Sequence, residues 1–315
     1  MVVNPTKFHR TGELSRFRTE VDAALADLGW SSPLWLFTTA STGGTDQARE
    51  TAAAGVDLVL VAGGDGTIRA VAQELAGSAV PLGLLPAGTG NLLARNLGVP
   101  LGDVAAAVRV ACRGVDRRLD VGRLELDRTG QGTDWEAFPF LIMAGAGFDA
   151  AMMTGAGEQL KQRLGAAAYI VAGMRALRRP MTRSTIWHDG QEVSSPASHG
   201  VVVGNCGTLT MDLSLMPDAD PGDGLLDGVA LLPHSRWDWI RLAWAVATSN
   251  HRPHPLMPRF RGHTLEFHSQ SPQPVQVDGD VVGEGHRIRL HIQQEGLLVR
   301  CPTATKAQSR LDLAA

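Results

Sequence analysis

The stretch that most limits how this chain can fold is LVLVAGGDGTIRAV, Leu58–Val71. An apolar run of strand length ends in two glycines, and the residues after it recur at helical spacing, so the stretch predicts a strand, a turn and a helix in direct succession. Ile68, Val71, Ala72 and Leu75 predict the buried stripe of that helix. A tight turn needs one glycine, or two; Gly63, Gly64 and Gly66 are more than that. The surplus predicts main-chain N–H groups left bare for close approach by an anion, with the positive end of the helix behind them. Asp65 complicates the picture, because a carboxylate beside a phosphate is repulsive unless a cation or donor stands between them. The alternative is that Asp65 caps the helix and the glycines only turn the chain.

The same plan recurs through the first third of the chain. VVNP, PLWLFTT, DLVLVAGG and VPLGLLPAG read as strands, separated by helical patterns at about 14–28, 47–54, 68–75, 92–97 and 103–112. This alternation predicts a parallel sheet with helices on both faces. In LLPAGTGNLLAR, Gly88 and Gly90 flank Thr89, and Asn91 is placed to cap a new helix. At a third strand end Asn4 is placed to fix the loop and Lys7 to meet phosphate. MVVNP itself reads as the later half of a strand, which predicts a natural start upstream of Met1.

Beyond Arg117 the strand runs become short and are punctuated by Gly, Pro, Asn and Asp, which predicts a mostly antiparallel β domain. Helical patterns interrupt it at 159–179 and 237–249. The expected division is an α/β domain over 1–117, joined by the tail 303–315, and a β domain over 118–302. In PVQVDGDVVG the alternation of Val275 and Val277 predicts a strand whose turn, Asp278-Gly279, displays a carboxylate at its tip. Asp218, Asp220, Asp223 and Asp227 crowd one loop, a cluster that repels itself unless it is solvated or bridged by a cation.

Composition excludes several classes. With 44% hydrophobic and 19% charged residues among 315, the chain is globular. A net charge of -3 argues against binding nucleic acid by phosphate neutralisation. Cys112, Cys206 and Cys301 form no C-x-x-C pair, so neither a disulfide framework nor a thiolate zinc site is expected. No secretory signal and no apolar run of spanning length is evident, which predicts a cytoplasmic protein. The G-x-x-x-x-G-K-[ST] loop and the protein-kinase signatures are missing, and GAGFDA at 145–150 lacks the following acidic residue and βαβ setting of a dinucleotide turn.

GGDGT at 63–67, PAGTGN at 86–91, NPT at 4–6 and VDGD at 277–280 together resemble the diacylglycerol kinase catalytic family, which includes bacterial lipid kinases and sphingosine kinases. GGDGT alone also suits NAD kinases. RRLDVG at 117–122, GAGFDA, LKQRLGAAAYIVAG at 160–173 and MPDADPGDGLLDGVAL at 216–231 extend the likeness over nearly the whole chain. The resemblance implies a Rossmann-like parallel α/β domain of the NAD kinase/phosphofructokinase kind, an antiparallel β-sandwich domain that takes the acceptor, and an active site in the cleft between them. It implies ATP and magnesium. Nucleotide-binding residues would be Asn4, Pro5, Thr6, Lys7, Thr39, Gly63, Gly64, Asp65, Gly66, Thr67, Gly88, Thr89 and Asn91. Asp65 and Asp278 would be catalytic, Asp278 as general base. Asp220, Asp223 and the Leu225 carbonyl would hold a structural magnesium, with Asp120 and Asp280 in a magnesium-linked network.

Two positions depart from the pattern: Asp280 stands where the family usually has Glu, and Leu92 where many members have Asp. The implied activity is phosphorylation of diacylglycerol to phosphatidic acid. A sphingoid base or NAD as acceptor, and a catalytically silent lipid- or nucleotide-binding regulator, stand as alternatives. A lipid substrate implies peripheral contact with the inner membrane surface. Lys161, Arg163, Arg175, Arg178 and Arg179 around an apolar middle, and the three tryptophans of RWDWIRLAWAVA, offer such contacts, although a tryptophan stripe of this kind is more often domain core. A homodimer is compatible with all of this. His251 and His254 suggest zinc only weakly, because Pro253 between them prevents the helical spacing a metal pair would exploit.

Overall fold

The computed structural model describes residues 1–39, 42–147, 181–194, 197–207, 215–247 and 254–303. The chain forms two compact units, Met1–Val121 with Gln294–Ala315, and Gly122–Gln293. The return to the first unit thus falls at Gln294 rather than at the expected 303.

The first unit is a parallel sheet with strands β1 (Val2–Val3), β2 (Leu36–Phe37), β3 (Val59–Gly63) and β4 (Leu82–Pro86), in the order β2-β1-β3-β4. The last strand of the chain closes the far side of β4, Val299 opposite Leu82. β3 is buried at every residue and β4 at all but its last, as strands covered on both faces must be. The helices are α1 (Glu13–Asp27), α2 (Thr45–Ala53), α3 (Asp65–Leu75), α4 (Leu92–Asn96) and α5 (Val104–Arg113). Ile68, Val71, Ala72 and Leu75 have no exposed surface, so the stripe legible in the sequence is the one that packs. α3 nevertheless starts earlier than that stripe suggests: Asp65, Gly66 and Thr67 are its first turn rather than a loop before it. β2 is shorter than PLWLFTT suggests, because β1, with which it pairs, is itself two residues long. In this strand order the chain reverses its direction of winding between β1 and β3, the place where open α/β sheets leave a crevice for ligand.

The second unit is antiparallel. Its strands are β5 (Val115–Asp127, which starts in the first unit), β6 (Trp135–Phe140), β7 (Met143–Gly147), β8 (Thr182–His188), β9 (Gln191–Ser194), β10 (Ala197–Ser198), β11 (Gly200–Gly204), β12 (Leu226–Leu231), β13 (Arg259–Gly262), β14 (Thr264–Val277) and β15 (Asp280–Cys301, which ends in the first unit). They run in the order β13-β12-β11-β7-β14-β15. Between His268 and Gln273 the β14–β15 register shifts; before the shift β14 pairs with β8, after it with β7. Leu124, Phe140, Val201, Leu226, Phe267 and Ile288 belong to the core so formed. A sixth described helix, α6 (Arg236–Ala247), matches the expected one at 237–249. The helix expected at 159–179, with its five basic residues, and the tail from 304 lie outside the described residues, as does His251. All three cysteines are buried, and none is in a disulfide.

Candidate functional site

In the first unit the strand ends of β1, β2, β3 and β4 bring most of the sequence-identified residues to one edge of the sheet. Asn4 ends β1 and ties it to its neighbour: its N–H donates to the Ala62 carbonyl at 2.8 Å and its Nδ2 to Thr67 Oγ1 at 2.9 Å. Its Oδ1 accepts from the N–H (3.1 Å) and hydroxyl (2.7 Å) of Thr6, which shapes the short 3-10 turn Pro5–Lys7. Thr39, beyond β2, shares a 3.1 Å hydroxyl contact with Thr42.

The two glycine turns interlock. A Cβ on Gly88 would lie 2.5 Å from Gly64 Cα, one on Gly63 would lie 2.6 Å from Thr67 Cβ, and one on Gly90 would lie 2.6 Å from Asp65 Oδ2. The backbone faces of Gly64 and Gly88 therefore meet without side chains, and the stem of Lys7 lies along the same spot, its Nζ 3.4 Å from where a Gly64 Cβ would stand. Gly66, in the first turn of α3, and Thr89, in the second glycine turn, are exposed. As first-turn amides of α3, Gly66 and Thr67 have no acceptor inside the helix. Bare main chain, first-turn N–H groups at the dipole end of a helix and one lysine make an edge suited to a polyphosphate.

The roles of Asp65 and Asn91 differ from the sequence expectation. Asp65 does not cap its own helix: its Oδ1 accepts from Leu92 N–H at 2.7 Å, the opening of α4. Burial raises its pKa, against the lowering pull of the Leu92, Leu93 and Asn91 amides. Asn91 occupies the position before α4 but makes no capping bond there. Held at φ 48°, it turns its side chain back on Gly88, accepting from the N–H at 3.0 Å and donating to the carbonyl at 2.7 Å. The exchange follows from conformation: left-handed Asn91 points away from the α4 amides, and Asp65 is the acceptor within reach.

In the second unit Asp278 and Gly279 form the two-residue turn between β14 and β15, with φ of 47° and 90° and Val277 opposite Asp280. Both left-handed values are what such a turn requires. Asp278 is not simply displayed at the tip. Its Oδ1 accepts from Ile142 N–H (2.9 Å) and Met143 N–H (3.0 Å), its Oδ2 from Leu141 N–H (3.0 Å), and its own N–H donates to the Met143 carbonyl (2.7 Å). Gln276, fully buried, accepts from Gly279 N–H at 2.8 Å. Asp280 is exposed, whereas Asp120, on the first-unit part of β5, is buried.

The acidic loop precedes β12. Asp220 Oδ1 accepts from Gly222 N–H and Asp223 Oδ1 from Leu225 N–H, each at 3.0 Å. Arg261, which the sequence reading missed, pairs with Asp223 Oδ2 and lies 3.4 Å from Asp227. It supplies the bridging positive charge that such a cluster needs. Asp220, Asp223 and the Leu225 carbonyl are oxygen donors of the kind magnesium prefers, but Asp223 gives its outer oxygen to Arg261. No group of three or more metal-ligating side chains gathers among the described residues. Burial, ahead of the charges of Asp223 and Asp218, pushes the Asp227 carboxyl up to about 6 against the pull of Arg261. Arg95, also missed, donates from Nε to the Gly90 carbonyl at 2.9 Å and so braces the second glycine turn. Its spacing in LLARN gave a signal only in hindsight of the turn.

Comparison with known proteins follows the same division. A family described as "Diacylglycerol kinase catalytic domain" matches residues 1–124, and one described as "YegS C-terminal NAD kinase beta sandwich-like domain" matches residues 143–293. A diacylglycerol kinase of Mycobacterium tuberculosis is 30% identical over 231 residues, covering 72% of each chain. An uncharacterized protein of Synechocystis is 27% identical over 263 residues, covering 78% of this chain and 58% of that protein. In structure, a diacylglycerol kinase from Bacillus anthracis superposes with a TM-score of 0.71 at 20% identity, covering 95% of both chains.

Proposed function

The chain belongs to the diacylglycerol kinase catalytic-domain family, and from that premise we propose that it transfers the γ-phosphoryl group of ATP to the hydroxyl of a membrane lipid, with diacylglycerol as acceptor and phosphatidic acid as product. The observation that carries the reading is the interlocked pair of glycine turns at the carboxyl ends of β3 and β4, where Gly64 and Gly88 meet face to face and Lys7, from the turn after β1, lies beside them.

In this reading Gly63–Thr67 and Gly88–Asn91 bind the phosphates through main-chain N–H groups, Asn4, Pro5 and Thr6 hold the neighbouring loop, and Lys7 offsets phosphate charge. Thr39 completes the edge. Magnesium bound with the nucleotide would supply further charge neutralisation, and Asp120 and Asp280 are the residues proposed to hold it. The acceptor hydroxyl forms the new bond to the γ-phosphorus as the bond to ADP breaks, and its proton passes to Asp278. Three main-chain donors fix the orientation of that carboxylate. In the acidic loop Arg261 is seated on Asp223, where the resemblance implies magnesium.

The test is transfer of label from γ-labelled ATP to diacylglycerol, sphingosine, NAD and a total lipid extract. Labelled phosphatidic acid is expected. Gly88→Ala is expected to lower kcat/KM for ATP by about tenfold or more, since its methyl forces the two turns apart. Label in NAD alone would instead make this a kinase of a soluble acceptor, and ATP binding without transfer to anything would make it a silent binder.

A further inference from the structure

α6 divides its tryptophans between two environments. Trp239 and Leu242 are buried at 5% and 3% exposure, whereas Trp237 and Trp244 are 73% and 72% exposed and Ile240 is 39% exposed. The two exposed tryptophans are more exposed than any other large apolar side chain described. At 3.6 residues per turn, Trp237, Ile240 and Trp244 fall within about 60° of one another, the two rings about 10 Å apart along the axis. Exposed Arg241 and Arg236 stand about 40° outside this stripe on opposite sides. The acid of the helix, Asp238, is committed to its start: Oδ2 accepts from His234 N–H (3.1 Å) and Ser235 N–H (3.0 Å), while Ser235 Oγ accepts from Asp238 N–H (3.1 Å). The helix is therefore anchored by its cap and its inner face, and it offers outward a short apolar ridge between two cations.

We propose that this face of α6 is a docking surface for a bilayer carrying anionic headgroups. A tryptophan ring pairs an apolar body with one N–H donor and so favours the headgroup depth of a membrane, and two such rings on one face of a capped helix seat it parallel to the surface. The flanking arginines match anionic phosphates. The proposal rests on the lipid-kinase reading for its purpose, because an acceptor that lives in a bilayer must be met there, but the surface is tested on its own.

Flotation with phosphatidylglycerol–phosphatidylcholine vesicles measures binding directly. Trp237→Ser with Trp244→Ser is expected to lower partition about tenfold or more, and Arg236→Gln with Arg241→Gln to remove most of the preference for anionic over pure phosphatidylcholine vesicles. Circular dichroism melting checks that each variant is folded. Brominated phosphatidylcholine in the vesicles is expected to quench the fluorescence of the unaltered protein, and lack of quenching would overturn the proposal without any variant. So would undiminished flotation of the double tryptophan variant, or loss of self-association by that variant in sedimentation, which would make the ridge a contact between copies. Activity separates the two readings. The tryptophan variant should phosphorylate dispersed dioctanoylglycerol like the parent while losing activity on long-chain diacylglycerol in vesicles. If the parent phosphorylates neither lipid yet floats through these tryptophans, the docking surface stands and the kinase reading falls.

Discussion

Two aspartates of the proposed site do more than chemistry, and their amide variants should behave in opposite ways. Burial raises the pKa of Asp65, so its charge is a burden on the folded state that the α4 amides only partly offset. Asp65→Asn keeps an oxygen for Leu92 N–H and is expected to melt close to the parent at neutral pH, whereas Asp65→Ala leaves that amide unmet and should cost about 0.5–2 kcal/mol in thermal unfolding. A kinetic loss in Asp65→Asn then reports the charge itself. For Asp278, both oxygens face main-chain donors, so Asp278→Asn sets an NH2 group against at least one of the Leu141–Met143 amides. A destabilisation of about 1–3 kcal/mol is expected alongside the loss of turnover. If Asp278→Asn melts like the parent, the three-amide clasp is wrong. The D-G turn was legible in the sequence because its backbone geometry is local. The clasp was not, since its donors lie more than 130 positions away.

At the scale of elements, the strand–glycine–helix units were readable because each is encoded within about a dozen residues by apolar run, turn and stripe. What joins the units was not. Asp65 of α3 caps α4, 27 positions on, and Arg261 of β13 clasps the acidic loop before β12 from 38 positions beyond Asp223. Burial of a carboxylate beside that loop leaves a mark in pH dependence. Asp227, with a folded pKa of about 6 against an ordinary value of 3.8, contributes stability that is fully present below about 3.8 and lost as pH rises through about 6. Asp227→Asn is therefore expected to raise Tm near pH 8, by about 2–4 °C for each kcal/mol relieved, and to match the parent at low pH. A Tm gain that grew on acidification would reverse the sign and sink this account. Buried His199, whose pKa is lowered chiefly by desolvation, acts the other way: it loses stability as pH falls below about 6.5. Variant and parent share that effect, so it cancels in the comparison.

For the whole molecule, the division into a parallel α/β unit and an antiparallel β unit was foreseeable from the change of texture near Arg117, although the chain returns to the first unit at Gln294, inside β15. Because Arg261 already pairs with Asp223 in the acidic loop, chelation with EDTA is expected to stop phosphoryl transfer while leaving Tm unchanged to within about 1–2 °C; a large fall in Tm would show that a metal holds the loop after all. The sequence by itself determined the strand–turn–helix units and the family, since these depend on neighbours along the chain, whereas the need for glycine at Gly88 and Gly90 comes from Gly64 and Asp65 across the fold. Only the tertiary structure decided which carboxylate meets which amide, which cation quiets the acidic loop and which tryptophans of α6 face outward. Those outcomes depend on residues brought together through space, and one sequence carries no record of such pairings.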